Sequence, residues 1–400
     1  SWKKDNNGKH FVATSCQGLG ASVWWPNKDH MYDEVDSMAI SVTTPKDLMN
    51  VSNGRLKRIE ENETTKTTHW YIDSPINNYG VNVNIGDYVH FTDSYDGEKG
   101  TLDIDYYVLR DNLNKAKEQF KQTKPMLEAF EHWFGPYPFY EDGFKLVEAP
   151  YLGMEHQSSV TYGNGYQNGY RGTDLSDSGW GLKFDFIIVH ESGHEWFANN
   201  ITHKDIADMW VHEGFTSYSE NLFLDYHYGT KAAAEYVTGT RKRIMNDKPI
   251  IGRYNLNRRG SGDMYYKGAN MLHTLRQLID NDQLWRQILR GLNKTLYNET
   301  VTTEQVEKYI SKKSEKDLSA FFEQYLRTTK IPVLEYEFDG SKLKYRYTNV
   351  VKDFDMPVRI FLDGKAHWVF PKKDSQWKTE KVKGKELIVD SNFYIKSQSL

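Results

Sequence analysis

The residues with the most chemistry to offer lie together in FDFIIVHESGHEWFANN, Phe184 to Asn200, where two histidines and two glutamates interrupt an apolar run. His190 and His194 are four apart, so on a helix both rings project from one face, one turn apart, within reach of a single metal ion. Glu191 follows the first histidine and sets a carboxylate beside that ion's open position. The pattern is HExxH, read as His190-Glu191-Ser192-Gly193-His194, in which imidazole nitrogens suit Zn²⁺ and the glutamate serves as general base. A catalytic zinc takes a third protein ligand and keeps one position for water. Residues 195 to 212 number 18, so Glu213 in DMWVHEGFTSYSENLF completes HExxH-x18-E. A lone HExxH arises by chance in long chains, but two buried histidines and a buried glutamate without a metal would be costly unsatisfied groups. The set therefore predicts one Zn²⁺ held by His190, His194 and Glu213.

Such a site needs helices to carry the ligands and a framework to fix the helices. Up to about Arg110, short alternating runs such as SMAISVTTP, VNVNIGDYVHF and GTLDIDYYVL, bounded by Gly, Asn, Asp and Pro, predict β-sheet. From Asn112 the period lengthens in NLNKAKEQFKQTKPMLEAFEHWFGPYPF, which stops at Gly135-Pro136. Helical signals then dominate to about Arg327, and Glu213 opens a second amphipathic segment with Phe215, Tyr218, Leu222 and Phe223. Alternation returns around Asp339-Gly340 and Asp363-Gly364, two predicted hairpins of a small C-terminal β-domain. No internal repeat or low-complexity segment appears.

Composition narrows the classes of function. A chain of 400 residues exceeds one ordinary core, so two or three domains are expected. With 51 Lys plus Arg against 55 Asp plus Glu and no long block of either sign, binding of nucleic acid or an anionic membrane by bulk charge is not expected. The single cysteine, Cys16, excludes an intramolecular disulfide framework without fixing the compartment, and export stays open. No run reaches the length of a membrane span and no signal-peptide pattern precedes Trp2. The chain opens without an initiator methionine and is read as a mature form or an excised fragment.

VHESGHEWFANN…WVHEGFTSYSE resembles the gluzincin metallopeptidases of the aminopeptidase N type. YLGMEHQSS resembles the exopeptidase signature of that family, usually GxMEN, which implies that Glu155 holds the substrate's free α-amino group and that Met154 borders the first-residue pocket. MYYKGANMLHTLR resembles the family's Y-x-K-G-A segment and makes Tyr265, not Tyr266, the residue that stabilises the tetrahedral intermediate. TSCQGLGASVWWPNKD resembles the end of the N-terminal β-domain and gives Gln17 a place in the pocket for the first side chain. LSAFFEQYLRTTKIPVL resembles the junction to the C-terminal β-domain, so the likeness spans nearly the whole chain. It implies an α+β multidomain protein: the end portion of an N-terminal β-domain over residues 1–111, a thermolysin-like, mainly helical catalytic domain over 112–330, and a small C-terminal β-domain over 331–400. The implied activity is zinc-dependent aminopeptidase action on peptides with a free N-terminus, with Glu191 as general base. The epoxide-opening leukotriene-hydrolase branch and a silent binding protein on the same fold are the alternatives. Silent members usually lose Glu191, a ligand or the tyrosine, all present here.

Two positions depart from the signature, His156 for asparagine and Leu152 for glycine, and the glutamine segment falls early, at residue 17, as though preceding strands were missing or rebuilt. Glu220, seven residues beyond Glu213, shares its helix face and is read either as orienting a zinc histidine or as a solvated glutamate. Glu195 is expected to be structural, and His203 and His212 to be ordinary loop or surface histidines. SSVTYGNGYQNGYRGTD is either a substrate lid or an aromatic-rich turn. First-residue preference and oligomeric state are not legible.

Overall fold

The computed structural model describes residues 1–30 and 32–400. Its architecture is multidomain α+β, organised by one five-stranded sheet in the order Tyr88–Gly97, Gly100–Leu109, Phe144–Glu148, Val160–Tyr162, Gly153–Met154. The first pair is an antiparallel hairpin; Gly100–Leu109 and Phe144–Glu148 run parallel, as do Phe144–Glu148 and Val160–Tyr162. The span 144–162 therefore contributes strands inside a stretch where helical signals prevail in the sequence. Its strands are short and buried on both faces, so they show no alternation to betray them.

Because successive side chains point to opposite faces, this sheet serves two cores. Leu102, Ile104, Tyr106, Val108, Phe144 and Leu146 join the large core with Phe120, Met126, Phe130 and Trp133. Tyr107, Tyr88 and Val147 face the other way and pack with Phe11, Ile40, Val51, Trp70 and Ile72. The second core is roofed by a three-stranded sheet (Met38–Pro45, Thr65–Ile72, Arg55–Glu61) and a four-stranded sheet (Trp2–Lys4, His10–Ala13, Asn84–Gly86, Met49–Val51). The sheet strands before residue 111 thus belong as much to the helical layer as to the N-terminal β-layer.

The helix Thr123–Phe134 admits Pro125 in its first turn, where the missing N–H costs no intrahelical bond, and ends at Gly135 with φ 93°. Over the sheet lie the helices that matter most for the site: a motif helix (Phe186–Gly193), a long helix (Trp210–Tyr228), and the helix Tyr266–Ile279. Val333–Asp339 pairs with Lys342–Thr348, and Val358–Leu362 with Lys365–Val369, the two expected hairpins. The segment after the strand Leu387–Val389 docks on the helices through Tyr325 Oη to Tyr394 O at 2.9 Å and His273 Nε2 with Asn392 Oδ1 at 2.8 Å. Among the described residues no helix is long and apolar enough to cross a membrane.

Candidate active site

Asp185 starts the motif helix, accepting from the backbone N–H of Ile187 at 3.0 Å and Ile188 at 3.3 Å. It also accepts from Tyr162 Oη at 2.7 Å, Asn164 Nδ2 at 2.9 Å and Gln119 Nε2 at 2.7 Å. Tyr162 and Asn164 of the Gly- and Tyr-rich segment after Glu155 are thereby packed against the helix start. After Gly193 the helix gives way at Phe197 and Ala198, but His194 itself keeps helical φ and ψ. The two motif rings sit edge to face with centroids 5.0 Å apart.

Each histidine is oriented from behind. His190 Nδ1 meets Glu220 Oε1 at 2.7 Å, and Glu220 Oε2 accepts from Tyr236 Oη. His194 Nδ1 meets the Phe197 carbonyl at 3.0 Å and Thr216 Oγ1 at 3.0 Å. With both Nδ1 atoms donating, both Nε2 lone pairs turn inward. They converge on Glu213 Oε2, at 3.6 Å from His190 and 3.3 Å from His194, and that buried oxygen has no hydrogen-bond partner among the described residues. Three lone pairs facing one point repel unless a cation stands among them, so this donor set fits a metal ion, and the N/N/O chemistry suits Zn²⁺. The electrostatics agree. Burial alone would lower His190, yet the neighbouring Glu213 and Glu220 carboxylates carry its pKa well above the ordinary value. Burial would raise Glu213, but His194 and His190 pull it far below the carboxylate range. Glu220 is only 1% exposed, which excludes the solvated reading.

Glycines set how closely the helices approach. At Gly193 an added Cβ would lie 2.5 Å from Ser219 Oγ, so the motif helix crosses the long helix there. Gly214 and Gly268 face each other, and a Cβ on Gly268 would lie 3.0 Å from the Gly214 Cα. That crossing brings Tyr265, immediately before the helix Tyr266–Ile279, beside the ligands: its ring stacks on His190 at 6.2 Å, and burial followed by the Glu213 charge raises its hydroxyl pKa well above normal. Tyr266 feels Glu220 and Arg243 instead.

Glu191 is buried beside the ligands, and burial, countered by His190, pushes its pKa up to about 7. The strand Gly153–Met154 passes so close that a Cβ on Gly153 would lie 2.8 Å from Ile187 Cγ2 and 2.9 Å from Glu191 Oε1. Glu155 follows on the same segment, with carboxylate oxygens of Glu155 and Glu191 and a nitrogen of His194 within 4.8 Å of one another. Gln17 Nε2 donates to Glu155 Oε1 at 2.6 Å. Met154 packs with Cys16, Ala21 and Tyr79 under Trp24, Trp25 and Tyr151. All nine residues singled out from the sequence thus gather in one region.

One expectation needs correction. His203 and His212 are not loop or surface residues: both are fully buried, their rings stacked at 3.9 Å. His156, which replaces the signature asparagine, is also buried, with Nδ1 at 3.3 Å from Thr161 Oγ1, and burial drives its pKa down to about 3. Glu195 is structural as expected, accepting from the Ser158 N–H at 2.9 Å and Tyr137 Oη at 3.3 Å. Sequence reasoning missed Thr216 and Tyr79. Thr216, one helical turn beyond Glu213, was within reach of a spacing argument. Tyr79, whose hydroxyl lies 3.3 Å from Glu155 Oε1, carried no local signal.

The family model described as Peptidase family M1 domain matches residues 118–325, just over half of the chain. The chain is 24% identical over 379 residues to Tricorn protease-interacting factor F2 of Thermoplasma acidophilum, covering 90% of this chain and 45% of that protein. It is 25% identical over 214 residues to mouse (Mus musculus) endoplasmic reticulum aminopeptidase 1, covering 50% of this chain and 23% of that one. The chain thus spans less than half the length of these curated relatives. Among solved structures, an M1 zinc metallopeptidase mutant from Deinococcus radiodurans, bound to a Tyr-Ser-Ala substrate, has the same fold at TM-score 0.67 and 20% identity, covering 83% of this chain and 72% of that one.

Proposed function

The chain belongs to peptidase family M1, and from that premise we propose that it is a zinc-dependent aminopeptidase that removes the N-terminal residue of peptides. The observation that carries the reading is the buried Glu155 carboxylate, held within 4.8 Å of Glu191 and His194 and not on the ligand triad itself. An anion fixed one step from the ligands meets a substrate's α-ammonium and sets the first peptide bond at the site. His190, His194 and Glu213 would hold the Zn²⁺, with Glu220 orienting His190. When bound, the ion supplies Lewis acidity and lowers the pKa of water from ~15.7 to ~7.

The remaining steps belong to side chains. The Glu191 carboxylate takes a proton from the attacking water and returns it to the leaving amine. The Tyr265 hydroxyl donates to the oxygen on which negative charge develops, a kind of contact whose loss commonly costs ~10²–10³ in rate. Gln17 and Met154 wall the space for the first side chain. In this reading residues 1–111 form an N-terminal β-domain, 112–330 a thermolysin-like catalytic domain and 331–400 a C-terminal β-domain, with the strands between Tyr88 and Leu109 shared by the first two.

A panel of aminoacyl reporter substrates, assayed with and without chelator and after Zn²⁺ is restored, checks the proposal. Hydrolysis abolished by chelation and recovered with about one equivalent of zinc is expected. Turnover indifferent to chelation would refute it.

A further inference from the structure

The aminopeptidase reading assigns Glu155 its task but leaves open what aims it. Gln17 and Tyr79 both bond to Oε1, and among the described residues no side chain donates to Oε2. The Tyr79 hydroxyl in turn lies 3.3 Å from His212 Nδ1, and His212 Nε2 lies 2.8 Å from the His203 backbone nitrogen.

The direction of every bond in this chain follows from its last member. A backbone N–H only donates. His212 Nε2 must therefore accept, which leaves the ring's proton on Nδ1. Nδ1–H donates to the Tyr79 oxygen, and the single phenolic proton is thereby turned toward Glu155 Oε1. The main chain is pinned as well: Asn199 Nδ2 donates to the Glu155 carbonyl at 2.8 Å, and Asn77 Oδ1 accepts from the Gly80 N–H at 2.6 Å, fixing the turn that carries Tyr79. Tyr79 and His212 are both fully buried, so water does not compete for these bonds.

Resting on the aminopeptidase reading, we infer that Tyr79 and His212 are positioning residues, which orient Glu155 through Oε1 so that Oε2 is presented to the substrate's α-ammonium. A carboxylate gripped at one oxygen by two donors, Gln17 and Tyr79, has one free direction for a cation. With the Tyr79 donor lost, the side chain is held only by Gln17 and the ammonium site blurs. The buried His212 then has a use: with the His203 backbone N–H it fixes the polarity of a bond network that ends on the amine anchor.

The test uses the zinc-replete chain and kcat and KM for a free-amine dipeptide. Tyr79→Phe is expected to raise KM roughly tenfold, the worth of a hydrogen bond to a charged group, with a smaller change in kcat and one equivalent of zinc retained. His212→Asn, too short to join the His203 N–H to Tyr79, is expected to shift KM in the same direction by less. Because both act through Glu155, neither should lower kcat/KM further in a Glu155→Ala background. An unchanged KM in folded Tyr79→Phe, or an equal loss with and without Glu155, overturns the inference. If Tyr79→Phe does not fold, the His212→Asn cycle decides alone. Wild-type protein that fails to hydrolyse the free-amine dipeptide overturns the underlying reading and the inference with it, whereas an active wild type with a silent Tyr79→Phe overturns the inference alone.

Discussion

Replacing Gly268 with alanine perturbs the helix crossing that sets Tyr265 against the metal ligands without touching any of them. The added Cβ would stand 3.0 Å from the Gly214 Cα, where ordinary contact is about 3.5–4.0 Å. Both near atoms are backbone, so no side chain can turn aside, and the helices must part by roughly 0.5–1 Å. Overpacking of this kind costs about 1–3 kcal/mol of stability. Its catalytic cost is of similar size, because a shift approaching 1 Å at a transition-state group reduces rate by up to ~10²-fold. His190 and His194 lie on the motif helix away from this contact, but Glu213 directly precedes Gly214, so kcat is compared at one equivalent of bound zinc in each variant. The expected result is kcat lowered ~10–100-fold with KM little changed, since the role proposed for Tyr265 is on the developing oxyanion and not on ground-state binding. Gly262→Ala serves as the control, because its Cβ would meet only Met245 Cε, at 3.9 Å. Steady-state kinetics and elemental zinc analysis on both variants decide it. A Gly268→Ala enzyme within twofold of wild-type kcat would refute the close-crossing argument.

Two other perturbations separate the metal centre from the scaffold. Glu220→Gln keeps the hydrogen-bond acceptor behind His190 but removes its charge, and zinc affinity measured by chelator competition should fall ~10–100-fold; unchanged affinity would deny Glu220 its orienting part. Lys145 is fully buried, donates to the Gly54 carbonyl and sits 5.4 Å over the Trp70 ring; burial, offset in part by Asp105, brings its pKa down to about 8 from 10.5. Between those values the unfolded chain holds a proton that the folded chain has released, so this group's contribution makes stability rise with pH. The stability difference between Lys145→Met and wild type, by denaturant unfolding, should shift in wild type's favour by on the order of 3 kcal/mol from pH 8 to 10.5, and a pH-independent difference would contradict it.

The proposed metal ligands were legible because helix geometry converts spacing into contact: a step of four from His190 to His194, and a second helix opened near Glu213, leave little freedom. The strand Gly100–Leu109 and the hairpins at Asp339-Gly340 and Asp363-Gly364 were legible for a similar reason, alternation and turn chemistry being local. Contacts closed by the tertiary fold were not. Tyr79 and His212 are 133 residues apart and neither neighbourhood hints at the other. Burial misled in the same way: neither His203 nor His212 has ligand spacing in the sequence, yet each is fully buried in the fold. The strand Phe144–Glu148 was masked because a buried central strand of a parallel pair needs no polar face. The resemblance located Glu155, Tyr265 and Gln17; the glycines at 214 and 268 explain physically how Tyr265 comes beside the proposed ligands, and Gly153 how the Glu155 segment passes so close to Glu191.

The most direct measurement compares one peptide in two forms, with a free and with an acetylated N-terminus, hydrolysed by the zinc-replete wild type. If Glu155 is an amine anchor, acetylation removes the charge it pairs with and leaves a buried carboxylate facing an uncharged amide. The expected result is kcat/KM for the acetylated form lower by about 10² or more, with Glu155→Ala narrowing the gap by slowing the free-amine form. Equal cleavage of the two forms by wild-type protein would contradict the aminopeptidase account at its centre.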